Sequence, residues 1–407
     1  MKIINGGITA VKGFKAAGTE AGIKYRNRKD MAMIYSDTPC RVAGTFTTNI
    51  VKAAPVIWDQ NIVRDSDNAQ AVVVNSGIAN ACTGEQGMKY CRETAEKVSE
   101  LMNIPSDAVL VGSTGVIGMQ LNMQALLSGI EDMVPKLAHT PESGTLAAEA
   151  IMTTDTHSKQ VAVEIEIDGK TVTIGGMSKG SGMIHPDMCT MLAYVATDIN
   201  MKKELLQKAL STDIQDTFNM ISVDGDTSTN DTLLLMANGM AGNTEITAED
   251  DNYRKFAEAL HYVDETLAKM MAGDGEGATK LLEVKVINAD TKDNAKILSK
   301  SVVTSSLTKA MIFGNDANFG RILCALGYSG AKFDPDRLDI FFEADDKKML
   351  IYHEGNAVDF SEDEATELLS SKTVTIIADM KEGSAAATAW GCDLTYDYVK
   401  INADYRS

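Results

Sequence analysis

The apolar positions of this chain change period repeatedly along its length. Ala71-Val72-Val73-Val74 is a continuous apolar run of strand length, leading into Asn75-Ser76-Gly77. Over residues 93–102 the apolar Ala95, Val98, Leu101 and Met102 recur at helical spacing, and the pattern stops before Pro105. A second helix is predicted over 123–137, with Leu126, Leu127, Ile130, Met133 and Val134 on one face. Then Val161-Ala162-Val163-Glu164-Ile165-Glu166-Ile167 alternates with period two, Asp168-Gly169 follows, and Lys170-Thr171-Val172-Thr173-Ile174 alternates again. Two alternating runs around Asp-Gly predict a hairpin, because a two-residue type I′ turn needs positive φ at both positions. The hairpin delivers the chain into a Gly-rich loop predicted over 175–190. That loop ends on Thr190, which opens the apolar run Thr190-Met191-Leu192-Ala193-Tyr194-Val195-Ala196.

The alternation of elements continues to the C-terminus. Helices are predicted over 202–220 and 253–271, the second closed by Gly273. Strands are predicted over 281–287, 338–343 and 373–378, and Ser361 with Glu364 forms a capping box for a short helix through Leu369. No fixed-period repeat and no Pro-rich linker divides the chain. The fold class is therefore α/β or α+β, layered. With 407 residues there is enough chain for two or three lobes, each burying a core.

Composition removes several function classes. Lys+Arg 38 against Asp+Glu 57 leaves a net charge of −19. That balance argues against nucleic-acid and anionic-membrane partners, which need clustered Lys and Arg. No stretch has signal-peptide or transmembrane length, so a cytoplasmic location is expected. The six cysteines carry no C-x-x-C pair and the five histidines no paired spacing, so neither a disulfide framework nor a metal site is expected. No cofactor is implied. Rival motifs also fall away: Gly175 to Ser181 reads G-G-M-S-K-G-S, with its lysine ahead of the glycine, unlike a P-loop.

Two segments carry candidate chemistry. Threonine is a weak nucleophile unless a base activates it, and a chain cut before Thr190 would supply its own α-amine for that purpose. Such an amine has a reference pKa of about 8 and is partly unprotonated near neutrality. By its local sequence alone, the segment also reads as a Gly loop feeding an ordinary core strand. Gly112-Ser113-Thr114-Gly115-Val116-Ile117-Gly118 is likewise open. It suits a Gly-rich turn, and it equally suits a hydroxyl and an adjacent amide donating to the oxyanion of a tetrahedral intermediate.

Lys179-Gly180-Ser181-Gly182-Met183, followed by Met188-Cys189-Thr190-Met191-Leu192, resembles the self-cleavage site of the ornithine acetyltransferase (bifunctional glutamate N-acetyltransferase) family. Further blocks match that family in order: Phe46 to Asn49, Ala79 to Gly84, Ile151 to Thr156, Asp224 to Thr232, Gly273 to Lys280, Gly314 to Arg321 and Ile401 to Ser407. The resemblance implies an α/β/β/α-type sandwich like that of N-terminal-nucleophile enzymes. It also implies autocatalytic cleavage at Cys189–Thr190 into chains 1–189 and 190–407, and an assembly of two α and two β chains. It implies ping-pong transfer of acetyl from N2-acetyl-L-ornithine to L-glutamate through acetyl-Thr190, with acetyl-CoA a further candidate donor. Position by position, it implies Thr190 as nucleophile and Thr114 and Gly115 as the oxyanion hole. Thr153, Lys179, Thr190, Glu276, Asn402 and Ser407 would bind substrate. For each of these an ordinary structural role is the alternative: a surface lysine at 179, a cap at Thr153, a solvated carboxylate at Glu276, a frayed tail at Asn402 and Ser407.

An amino acid with a second amine asks for a cation and an anion partner, which Lys179 and Glu276 can supply. The chain departs from the family pattern at Asp187, Ile78, Val11, Phe319 and Ser407. Two other readings are a Thr-nucleophile amidase or aminopeptidase, in which water accepts the acyl group, and a non-catalytic amino-acid-binding protein.

Overall fold

A computed structural model describes residues 1–66, 68–185 and 191–404. The described residues form two compact units, one made of Met1–Gly180, Pro186–Asn219 and Thr227–Leu267, the other of Ser181–His185, Met220–Asp226 and Ala268–Ser407. Each is built on its own mixed sheet, as expected for an α/β chain without a linker.

The sheet of the first unit has nine strands. Its order runs Lys2–Ile4, Lys159–Ile167, Lys170–Lys179, Leu192–Thr197, Thr232–Ala237, Met31–Phe46, Ala69–Asn75, Val109–Ser113, with Phe14–Thr19 also pairing on Met31–Phe46. Leu192–Thr197 and Thr232–Ala237 are buried along their whole length and pair in parallel, Leu192 opposite Thr232. Strands covered on both faces read as unbroken apolar runs, which is the pattern seen from Met191 onward. The hairpin forms as the alternation predicts, with φ of 51° at Asp168 and 70° at Gly169.

Four expectations are corrected. The loop predicted from residue 175 begins five residues later, because Gly175 to Lys179 continue the strand Lys170–Lys179. Gly175 and Gly176 are there for close approach, not for a turn. A Cβ on Gly175 would stand 2.2 Å from the Gly7 carbonyl oxygen. The helix predicted over 202–220 is α-helical only over Lys203–Asp213, followed by turns and a 3-10 turn at Phe218–Met220. Ile214 and Phe218 are fully buried, so the spacing identified the inward face correctly, but Asn219 N–H bonds back to Ile214 and the α pattern is lost. The helix predicted over 123–137 is α only over Met123–Met133 and tightens to 3-10 over Val134–Lys136, where Pro135 has no N–H to continue the ladder. The helix predicted to begin at 93 instead begins at Glu85.

The second unit's sheet has seven strands in the order Asn356–Ala357, Lys347–His353, Asp339–Ala344, Thr373–Asp379, Leu281–Ala289, Ala385–Cys392, Ile221–Ser222. Helix Lys292–Thr304 packs on the strands Leu281–Ala289 and Ala385–Cys392. The short helix Glu362–Leu369 starts where the sequence places it, with Ser361 Oγ accepting from Glu364 N–H at 3.3 Å. Among the described residues no helix is long and apolar enough to cross a membrane.

Asp198, directly after the strand Leu192–Thr197, is 3 % exposed and accepts the Thr173 amide at 2.8 Å. Burial pushes its pKa up to about 6. A raised carboxyl favours the folded state fully below the unfolded value near 4, and that contribution is lost as pH climbs through about 6. Asp198→Asn should remove this titration. Between pH 4 and pH 8 the stability difference should move about 2 kcal/mol in the variant's favour, measured by urea unfolding of both proteins.

Candidate functional site

The turn after the strand Val109–Ser113 is fastened to the loop after Ala69–Asn75. Thr114 N–H donates to Asn75 at 3.0 Å, Val116 N–H to Gly77 at 3.1 Å and Ala79 N–H to Val116 at 2.9 Å. These bonds carry the parallel pairing of the two strands beyond their ends. Gly115 has φ of +129°, and a Cβ there would lie 2.3 Å from the Gly77 carbonyl carbon, so only glycine fits. No acceptor among the described residues takes up the Thr114 hydroxyl or the Gly115 N–H. Two adjacent half-buried donors are thus left available on a backbone that cannot relax away. Ile78, a departure from the family pattern, has a simple place: it is 5 % exposed and packs in the core with Met31, Val73 and Ile130.

The segment before the strand Thr232–Ala237 braces this turn and the start of its neighbour. Buried Asn230 donates to the Ser113 carbonyl at 2.8 Å, one residue before Thr114. Thr232 N–H donates to the Met191 carbonyl at 2.8 Å. The Asp231 carboxyl accepts the Met191 amide. Burial pushes Asp231 well above the carboxylate range, against the hydroxyls of Ser228 and Thr47 and the Lys179 charge, which pull it down. Both backbone polar groups of Met191 are therefore fixed. Lys179 ends its strand directly opposite Leu192 and is 6 % exposed, so it is no surface lysine. Thr153 lies in the loop after helix Pro141–Ala150, its carbonyl accepting from Arg28 Nη2 at 2.6 Å and its amide donating to Asp155 at 3.0 Å.

In the second unit, Glu276 is 6 % exposed rather than solvated. Its N–H donates to the Ser181 carbonyl at 2.8 Å, and its Oε2 accepts from Asn402 Nδ2 at 2.7 Å. A Cβ on Gly182 would fall 2.4 Å from the Glu276 carboxyl carbon, so the glycine makes room for the carboxylate. Asn402 stands on the helix Tyr396–Ala403, not on a frayed tail. That helix is capped by Thr395, whose hydroxyl also donates to the Gly277 carbonyl at 2.8 Å. Asp224 fastens the Met183 and Ile184 amides at 2.6 and 2.9 Å and accepts from Tyr398 of the same helix at 3.3 Å.

A model of the ArgJ family matches residues 15–407. The arginine biosynthesis bifunctional protein ArgJ of Thermotoga neapolitana is 51 % identical over 397 residues, 97 % of this chain and 99 % of that protein. Its counterpart from Caldanaerobacter subterraneus subsp. tengcongensis is 51 % identical over 407 residues, 100 % of each. The chain belongs to the ArgJ family. It is accordingly an acetyltransferase of arginine biosynthesis, with ornithine acetyltransferase and glutamate N-acetyltransferase activities. Among solved structures, the arginine biosynthesis bifunctional protein ArgJ from Bacillus halodurans is 45 % identical with a TM-score of 0.50, covering 52 % of this chain and 97 % of that one.

Within the first unit the structure gathers Thr114 and Gly115 on one braced turn and sets Lys179 against the opening of the strand Leu192–Thr197. Within the second it joins Glu276 to Asn402. Thr190, Cys189 and Ser407 lie outside the described residues. The residues that sequence reasoning left without a role are Asp155, Asp224, Asn230 and Asp231. They stand in blocks rich in turn formers, a signal that shows the loop but not what its side chains grip.

Thr114→Ala removes a hydroxyl that no described neighbour uses, so folding should be unaffected by circular dichroism. With Thr114 in the oxyanion-hole role that the resemblance implies, its loss should lower kcat on the order of 10²–10³-fold in steady-state acetyl transfer, with KM nearly constant.

Proposed function

We propose that this chain cuts itself at Cys189–Thr190 and transfers acetyl by a ping-pong cycle on the freed Thr190. The observation that carries this reading is the turn at Thr114 and Gly115, held by the Gly77 loop with two donors uncommitted. In the first half-reaction the Thr190 hydroxyl attacks the acetyl carbonyl of N2-acetyl-L-ornithine and passes its proton to the α-amine. Collapse of the tetrahedral intermediate releases ornithine, which takes up that proton, and leaves an acetyl ester. L-Glutamate then attacks the ester through its amine, and Thr190 is regenerated. Thr114 Oγ1 and Gly115 N–H stabilise the oxyanion in both halves. Acetyl-CoA serves as the alternative acetyl donor.

Substrate specificity follows from opposite charges. Lys179 takes the α-carboxylate. Glu276, steadied by Asn402, takes the side-chain amine of ornithine. Thr153 and Ser407 complete the substrate contacts. Strand Leu192–Thr197 of the second product chain lies between Lys170–Lys179 of the first and Thr232–Ala237, so the two chains remain associated after the cut. In keeping with a two-chain product, 52 % of this chain accounts for 97 % of the solved Bacillus halodurans chain. Two copies of each chain form the assembly.

Denaturing intact-mass spectrometry of the purified protein tests the cycle. Two fragments divided at Cys189–Thr190, with one acetyl group on the Thr190 fragment after incubation with N2-acetyl-L-ornithine, are expected. Thr190→Ala should remain one unmodified chain. An uncut wild-type chain would overturn the mechanism, and acetate release without glutamate would favour hydrolysis.

A further inference from the structure

Asp155 lies two residues beyond Thr153, and its side chain is fully buried. Three separate points of the chain converge on its carboxylate. Oδ2 accepts the Thr153 amide at 3.0 Å, and Oδ1 accepts the Gly180 amide at 2.7 Å and Lys159 Nζ at 2.8 Å. Lys159, also fully buried, donates as well to the His157 carbonyl at 3.3 Å. Burial by itself would raise Asp155. The charges of Lys179 and Lys159, with the Lys159 and Gly180 hydrogen bonds, outweigh that and hold it ionised, well below the ordinary carboxylate range.

Lys159 is the ammonium in direct contact with Asp155. Gly180, whose amide is gripped, follows Lys179 directly, and Thr153, whose amide is gripped by the other oxygen, is the second substrate contact on this unit. A single rigid group thus sets the spacing of two residues that come from distant parts of the sequence.

We propose that Asp155 is a positioning residue for acetyl transfer: its two oxygens fix the Thr153 amide and the Lys179–Gly180 backbone in one arrangement, and so set the spacing of the two substrate contacts, Thr153 and Lys179. This rests on the roles given above to Thr153 and Lys179. A residue with this function acts on ground-state and transition-state binding alike, so its loss appears in KM. A purely structural residue would instead lower the fraction of active enzyme, reducing the apparent kcat with KM unchanged.

The test compares full-length wild type with Asp155→Asn and with Asp155→Asn/Lys159→Met. The single variant keeps an acceptor for Gly180 but loses the charge and the Thr153 anchor. The double variant restores the net charge of the cluster and leaves no unpaired buried ammonium, which guards against simple misfolding. Active enzyme is counted by mass as the acetylated Thr190 fragment. The expected result is a KM for N2-acetyl-L-ornithine raised about tenfold in whichever variant folds, with kcat per active site within about threefold of wild type. A folded, self-cut variant whose KM stays within twofold of wild type overturns the proposal. Failure of both variants to fold also overturns it, since Asp155 is then a structural residue. If wild type itself forms no acetyl-Thr190, the cycle proposed above has failed, a result separate from either.

Discussion

The arrangement on which the first unit depends is the seat of the strand Leu192–Thr197. Every residue of that strand is buried, and it is paired on both sides, antiparallel to Lys170–Lys179 and parallel to Thr232–Ala237. A buried strand must satisfy its backbone groups through its neighbours, because water is not there to do it. Register at its first residues is therefore fixed by long-range pairing. Met191, held through both its amide and its carbonyl, is where that constraint reaches the residue next to the proposed nucleophile. The hairpin before it, the braced turn at Thr114 and the Asn230–Asp231 segment are all positioned relative to this seat.

Around it the chain has accepted several buried carboxyl groups in two different electrostatic states. Asp155 is ionised because two lysines and its amide contacts outweigh burial. Asp231 and Asp59 are pushed well above the carboxylate range because burial outweighs their hydrogen bonds. An ionised carboxylate grips several donors strongly and so defines geometry, whereas a neutral carboxyl group adds polarity without a charge that would compete with a bound substrate.

What the sequence made legible follows the range of the interactions. The Asp168-Gly169 hairpin and the Ser361 cap were readable because neighbouring residues determine them. Helix ends were less so: Pro135 changed the pitch of one, and Gly87, where a Cβ would fall 2.2 Å from the Thr83 hydroxyl, obscured the start of another. The strand Met31–Phe46 was not readable at all. Its Ser36-Asp37-Thr38-Pro39 segment looks like a turn and is a register shift against Ala69–Asn75, tolerated because both halves pair with distant strands. The candidate site divides the same way. Thr114, Gly115, Lys179, Glu276 and Asn402 were found through resemblance and occupy defined places, while the carboxylates beneath them depend on contacts between segments far apart in the chain.

The interleaving of strands also sets an order of events during synthesis. Met31–Phe46 leaves the ribosome early, yet one of its partners is Thr232–Ala237, and Leu192–Thr197 can be enclosed only when that partner arrives. The first unit cannot close before its last strand, Thr232–Ala237, has been made, so any chemistry that relies on the closed sheet waits for nearly three fifths of the chain. A backbone break near residue 190 would then come after assembly and never before it. Once made, it would turn a unimolecular fold into a two-chain one. Separated halves would face a non-local, bimolecular search that the nascent chain never meets, so the mature protein would be stable by its slowness to come apart rather than by its ability to reassemble.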